Sequence, residues 1–206
     1  MRRPVVVMVL AAVFVLALLW GVSYISDQRA KLPVTITYTN AHAVAVYTPA
    51  GPSAIATVPS SGSIVKLKSG NYVIKYDGDS GYANGKQAFT VGDSPKTVSV
   101  TAYYSDAKLA AMLTQESAAI LQALDQKYAR IGLYDVQPGK LYHFGDWYGT
   151  TLVYKGNDYF NNDTLRVVLH EENGSWVVAT DPPNITLSKI IYPAVPTDVL
   201  QAVNNQ

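Results

Sequence analysis

The chain has 206 residues, 49% of them hydrophobic and 15% charged, with 16 basic and 15 acidic residues giving a formal net charge of +1. That length accommodates one large domain or two small ones, the composition excludes an intrinsically disordered chain, and the near-neutral charge lacks the basic footprint of a nucleic-acid binder. The absence of cysteine removes disulfides, thiolate nucleophiles (and with them sortase-like transpeptidation), cysteine zinc sites, iron–sulfur clusters and a lipoprotein anchor; it points to a bacterial cell envelope.

The chain opens with "MRRPVVVMVLAAVFVLALLWGVSYISDQRAK". Arg2 and Arg3 precede an uncharged run, and Val5 to Val22 is apolar throughout. About 20 such residues, rising 1.5 Å each, span the hydrocarbon core of a bilayer. Trp20 and Tyr24 stand at the far end, where amphipathic rings favour the interface. The expectation is a cytoplasmic segment 1–4, a transmembrane signal-anchor helix over 5–26 seated in the lipid bilayer, a linker 27–32, and extracytoplasmic domains beyond. The alternative is a cleaved signal peptide, whose shorter apolar region ends in a small-x-small site. The exit "WGVSYISDQRA" has large residues there.

From Pro33 to Tyr104 the period changes to two. "PVTITYTN" alternates, and short β-type runs follow at 43–47, 63–67, 71–76, 87–91 and 97–104, separated by turn clusters such as "TPAGPS" and "DGDSGYANG". This pattern predicts an all-β antiparallel sandwich over 33–104. Asp77 and Asp79, two apart, echo a calcium loop, but Gly81 takes the fifth position and no closing Glu follows. A strand-connecting turn is the simpler reading. The section "SGNYVIKYDGDSGYANGKQAFTV" is similar to the PEGA-type surface domain. That resemblance implies a small β-sandwich that binds or spaces other molecules without catalysis.

"SDAKLAAMLTQESAAILQALDQKYARIG" predicts an amphipathic helix over 105–131, with Ser105 as N-cap, Asp106 at the positive end, and Gly132 as the stop. Leu109, Leu113, Ile120, Leu124, Tyr128 and Ile131 form one stripe, to be packed on a following sheet or in a short coiled coil.

In the last section, 132–206, Asn173-Gly174 suits a type I′ turn. The implied register pairs Glu172 with Ser175, Glu171 with Trp176, His170 with Val177 and Leu169 with Val178. Strand alternation then separates His170 from Glu171. "VPTDVLQAVNN" predicts a short C-terminal helix. With "DWYGTTLVYK", the hairpin and the preceding helix, the module resembles the cystatin-like or NTF2-like α+β class, a long helix packed on an antiparallel sheet. The fold expected is thus a transmembrane helix, an all-β sandwich and an α+β module.

"YHFGDWYG" offers the candidate site: His143 and Asp146, three apart around Gly145, beside Trp147 and Tyr148. A turn at Gly145 would bring imidazole and carboxylate into hydrogen-bond reach. A structural turn with an Asp cap is the simpler use of the same residues. With only three His, no metal or cofactor is expected. Two functions remain open. One is a membrane-anchored, non-catalytic binding or assembly role at the envelope, towards a protein partner or a cell-wall glycan. The other is a hydrolase-type envelope enzyme using His143 and Asp146 in an NTF2-like cleft. The oligomeric state stays open.

Overall fold

The computed structural model describes residues 31–156 and 164–206. The helix expected at 5–26 lies outside these residues, as do segment 1–4 and most of the linker. Among the described residues no helix is long and apolar enough to cross a membrane. The expected plan is corrected accordingly: the described residues are mostly β with two α-helices, neither of them long and apolar enough to span a membrane. The longer one, α1 (Asp106–Lys127), carries Asp106, Lys108, Glu116, Asp125 and Lys127 and buries only one stripe, so it is amphipathic.

Two compact units are formed, one by residues up to Asp77 together with Asn84–Thr101, the other by Gly78–Ala83 together with Ala102–Gln206. The first contains β1 (Leu32–Thr39), β2 (Ala41–Tyr47), β3 (Ala56–Thr57), β4 (Ser63–Leu67), β5 (Gly70–Gly78), β6 (Gly85–Val91) and β7 (Lys96–Thr101). They make two sheets, ordered β4-β1-β7 and β3-β2-β5-β6. Alternation decides which face is buried: Val34, Ile36, Val65, Leu67, Val98 and Val100 from the first sheet, Val46, Ile74, Phe89 and Val91 from the second.

The all-antiparallel expectation fails between β1 and β7. β1 runs parallel to β7, with Thr35 opposite Thr97 and Thr37 opposite Ser99. The reason is topological. The chain leaves β1 through Asn40, in the left-handed region at φ 59°, and enters the other sheet directly. It comes back to the first sheet for β4, antiparallel to β1, crosses again for β5 and β6, and returns as β7 on the other side of β1, running in the same direction. Alternation sets the face of a strand and carries no information on the direction of its neighbour.

In the second unit β8 (Tyr134–Val136), β9 (Lys140–Tyr142), β10 (Trp147–Tyr154), β11 (Leu165–Glu172) and β12 (Ser175–Val178) form an antiparallel sheet ordered β12-β11-β10-β8, with β9 also pairing β10. The hairpin β11–β12 has the register implied by its turn residues, Glu172 opposite Ser175 and His170 opposite Val177. Asn173 and Gly174 adopt φ 53° and 78°, as a type I′ turn requires.

Each sheet face carries a helix. α1 packs on Tyr148, Leu152, Val167, Leu169 and Trp176 through Leu109, Ile120 and Leu124. On the other face Val168 meets Leu187, Tyr192 and Val195 and the short helix α2 (Thr197–Asn204) through Val199, Leu200 and Val203. Ser105 caps α1 by accepting from Lys108 N–H. The helix ends at Lys127, earlier than the Gly132 stop predicts. Tyr128 leaves helical geometry at φ −115°, ψ 97°, and its hydroxyl donates to Thr180 O at 3.1 Å. A tertiary bond there ends the helix before glycine can.

Candidate functional site

His143 lies in the turn between β9 and β10, at φ 57° in the left-handed region. Gly145 follows at φ 87° and donates its N–H to Tyr142 O at 2.9 Å. Asp146 does not reach the imidazole through this turn. Its Oδ1 accepts from Phe144 N–H at 3.2 Å, the local use of a short carboxylate in a turn. The carboxylate that His143 meets is that of Asp198, with Nε2 and Oδ2 2.7 Å apart. Asp198 belongs to the first turn of α2, where the helix dipole favours negative charge.

His143 is packed on its other side. Its ring stacks on Tyr103 with centroids 4.1 Å apart and planes 9° from parallel. Phe144 stands edge-on to both Tyr103 and Tyr104, and the His143 carbonyl accepts from Tyr104 N–H. Lys108 Nζ sits 3.3 Å from the Tyr104 ring centroid. The imidazole is therefore a joint that ties α2 to the β9–β10 turn. Arg166 performs the same task at the other end of α2, donating from Nε to Val203 O at 3.2 Å and from its guanidinium to the carbonyls of Thr164 and Ile185.

Trp147 and Tyr148 are divided between the two sheet faces, as neighbours on a strand must be. Trp147 packs against the α2-side core and stacks on His170, directly opposite on β11, at 4.7 Å. Tyr148 is buried in the α1-side core, edge-on to Trp176. Burial pushes its hydroxyl above the ordinary tyrosine range, opposed by hydrogen bonds involving Thr150 and Gly139. The four residues singled out in the sequence thus do not converge on one cleft. His170 shares its face with Glu172, at 3.3 Å. Among the described residues no group of three or more His, Asp or Glu is placed to hold a metal. Asp79 closes a turn by accepting from Tyr82 N–H.

The concavities lie elsewhere, along one flank of α1. Three adjoining cavities of about 260, 270 and 460 Å³ run between this flank and the segment from β8 to β9. Leu113 and Gly139 are common to the first two, Leu121 and Val136 to the second and third. Leu113, Ser117 and Leu121 recur every fourth residue and so form one stripe of the helix, and Leu121 is 50% exposed. The facing strands form the edge of the sheet. β8 and β9 both pair with β10 and are separated by Gln137-Pro138-Gly139. Gln137 N–H donates to Thr151 O, so by alternation the N–H and C=O of Val136 point away from β10. The edge beside the groove carries hydrogen-bonding capacity that β10 does not use. Sequence reasoning passed over these residues because nothing in "LYDVQPGK" marks a strand as an edge.

No family model, curated protein or solved structure matches this chain. The PEGA-like and cystatin- or NTF2-like resemblances rest on their sequence motifs alone.

Proposed function

We propose that the second unit is a non-catalytic binding module that takes an extended segment of a partner protein along the flank of α1. The observation that carries this reading is the pairing of a half-exposed apolar stripe with the adjacent open sheet edge. An added strand gains main-chain hydrogen bonds from such an edge, and its alternate side chains find the groove. Leu113 and Leu121, eight residues apart on α1 and so about 12 Å apart along its axis, suit side chains four residues apart on one face of an extended segment, and Asp125 lines the largest of the three cavities, which suits a basic residue flanking an apolar pair. Between the two partner classes expected, a protein segment fits these groups better than a glycan, because another main chain matches the regular N–H and C=O spacing of an edge strand and a sugar repeat does not.

A photo-crosslinking residue placed at Gln122 of the full chain in intact cells tests this. The expected result is a discrete adduct to one protein, abolished by Leu121→Asp and by Val136→Pro, which removes the outward N–H. A peptide spanning the crosslinked site should then slow hydrogen exchange at the Val136 amide. Adducts that persist in both variants, or that resolve to glycan fragments, refute the reading.

A further inference from the structure

A fourth cavity, of about 330 Å³, opens where α1 ends. It meets the groove only at Ile131, and its other walls are different residues. Tyr128, Tyr134, Leu152, Leu165 and Pro183 line it, and Lys127 and Arg130 stand among them. The volume falls at the lower end of small-ligand sites, about 300 to 1,000 Å³. The Tyr128 hydroxyl is already engaged by Thr180 O, so its ring is what remains to meet a ligand.

The charges around this cavity are unevenly balanced. Lys127 is paired with Asp181 at 2.6 Å and Lys155 with Asp135 at 3.6 Å. Arg130 has no acidic partner among the described residues. A helix C-terminus ordinarily repels an anion through its unsatisfied carbonyls. Leu124 O accepts from Tyr128 N–H, and past the helix end Tyr128 O accepts from Ile131 N–H, Arg130 O from Leu133 N–H and Gly132 O from Lys155 Nζ, so carbonyls of the segment that carries Arg130 are engaged. Among the described residues that line the cavity, the Arg130 guanidinium is the cation without an acidic partner, and the rest of the lining is mostly apolar or aromatic.

We propose that this cavity binds a medium-chain monocarboxylate, its apolar tail among Ile131, Leu152 and Leu165 and its carboxylate on Arg130. A planar fork of N–H donors suits a carboxylate better than any neutral head group. The site shares only Ile131 with the groove, and Arg130 does not line the groove.

The test is photo-labelling of the full chain with a diazirine-bearing decanoic acid, mapped by mass spectrometry of the peptides. Labels are expected on peptides containing Ile131, Leu152 and Leu165. Decanoate should compete with at least tenfold greater potency than decanol. Arg130→Glu, an exposed change that leaves the apolar walls intact, should reduce labelling at least fivefold. Leu165→Trp, which fills the hollow, should abolish it. Labelling confined to other segments, equal competition by decanol, or full labelling of Arg130→Glu overturns the proposal. None of these outcomes alters the crosslinking expected at Gln122, so the two readings fail separately.

Discussion

Gly149 gives the sharpest test of how the two sheet faces are packed. It sits in β10, opposite Val168 on β11 and Lys140 on β9. Its backbone conformation is open to any L-residue, so alanine there brings no dihedral strain. A Cβ at this position would nevertheless overlap Val203 Cγ2 of α2 and approach the Tyr142 ring to 3.2 Å. Val203 is fully buried and anchored through its carbonyl by Arg166, so it cannot simply withdraw. Overpacking of this kind costs about 1–3 kcal/mol. Val203→Ala alone deletes two buried methyl groups and costs about 2 kcal/mol. In the double variant the alanine methyl enters space vacated by valine. The pair should therefore destabilise by about 2 kcal/mol, where additivity would give about 3–5 kcal/mol.

Urea unfolding followed by tryptophan fluorescence measures this, because Trp147 and Trp176 both lie in the second unit. Three tryptophans occur in all, and replacing Trp20 with Phe removes the remaining one from the signal. If Gly149→Ala costs the same with valine as with alanine at 203, α2 does not lie against β10 as described. The whole layer formed by Leu187, Tyr192, Val195 and α2 would then need to be redrawn.

Three further outcomes follow from particular bonds. Asp198→Asn weakens the His143 bond and removes a charge from the first turn of α2; with the carboxylate 65% exposed, the loss should be about 0.5–1 kcal/mol and should shrink in roughly molar salt. Gly174→Ala places a side chain at φ 78° and should cost about 1–2 kcal/mol in the same unfolding assay, whereas Asn173→Gly should be nearly neutral. Burial, reinforced by the charges of Asp181 and Tyr192, pushes the Tyr128 hydroxyl well above its ordinary value. The unfolded tyrosine releases its proton first, so this contribution is complete below about pH 10 and is lost as pH rises from there towards the folded pKa. Tyr128→Phe should flatten the fall in unfolding midpoint from roughly pH 10 upward, and an unchanged slope would exclude Tyr128 as its source.

Local chemistry explains what was legible in the sequence. Asn173-Gly174 specifies its own turn, and the turn fixes the register of four residue pairs. Ser105 and the stripe through Leu109, Ile120 and Leu124 define α1 because cap and period act within the helix itself. The failures all involve partners distant along the chain. His143 and Asp198 are 55 residues apart, and no spacing rule connects a turn to the first residues of a terminal helix. The nearer Asp146 is drawn instead to the N–H of Phe144, two residues back, which costs less chain entropy than reaching the imidazole. Likewise β1 and β7 stand at opposite ends of their unit, and their parallel pairing depends on repeated changes of sheet that alternation does not encode.

The groove along α1 follows from a conflict visible only after folding. A stripe wide enough to include Leu113 and Leu121 as well as Ile120 and Leu124 would be fully buried if the sheet extended one strand farther. The sheet stops at β8 and β9, and Pro138, without an N–H, interrupts the edge between them. Proline at such a position discourages indefinite strand addition, the usual hazard of an open edge. Val136, two residues earlier, keeps its outward N–H. The edge is thus blocked at one point and receptive at another, and it lies beside apolar helix surface. A sequence selected only against aggregation would place charge at Leu121, which is half exposed and free to change. Leu121→Lys should therefore raise solubility without lowering stability of the second unit by more than about 0.5 kcal/mol. If it unfolds the unit instead, Leu121 is a core residue and the groove is a packing seam with no binding role.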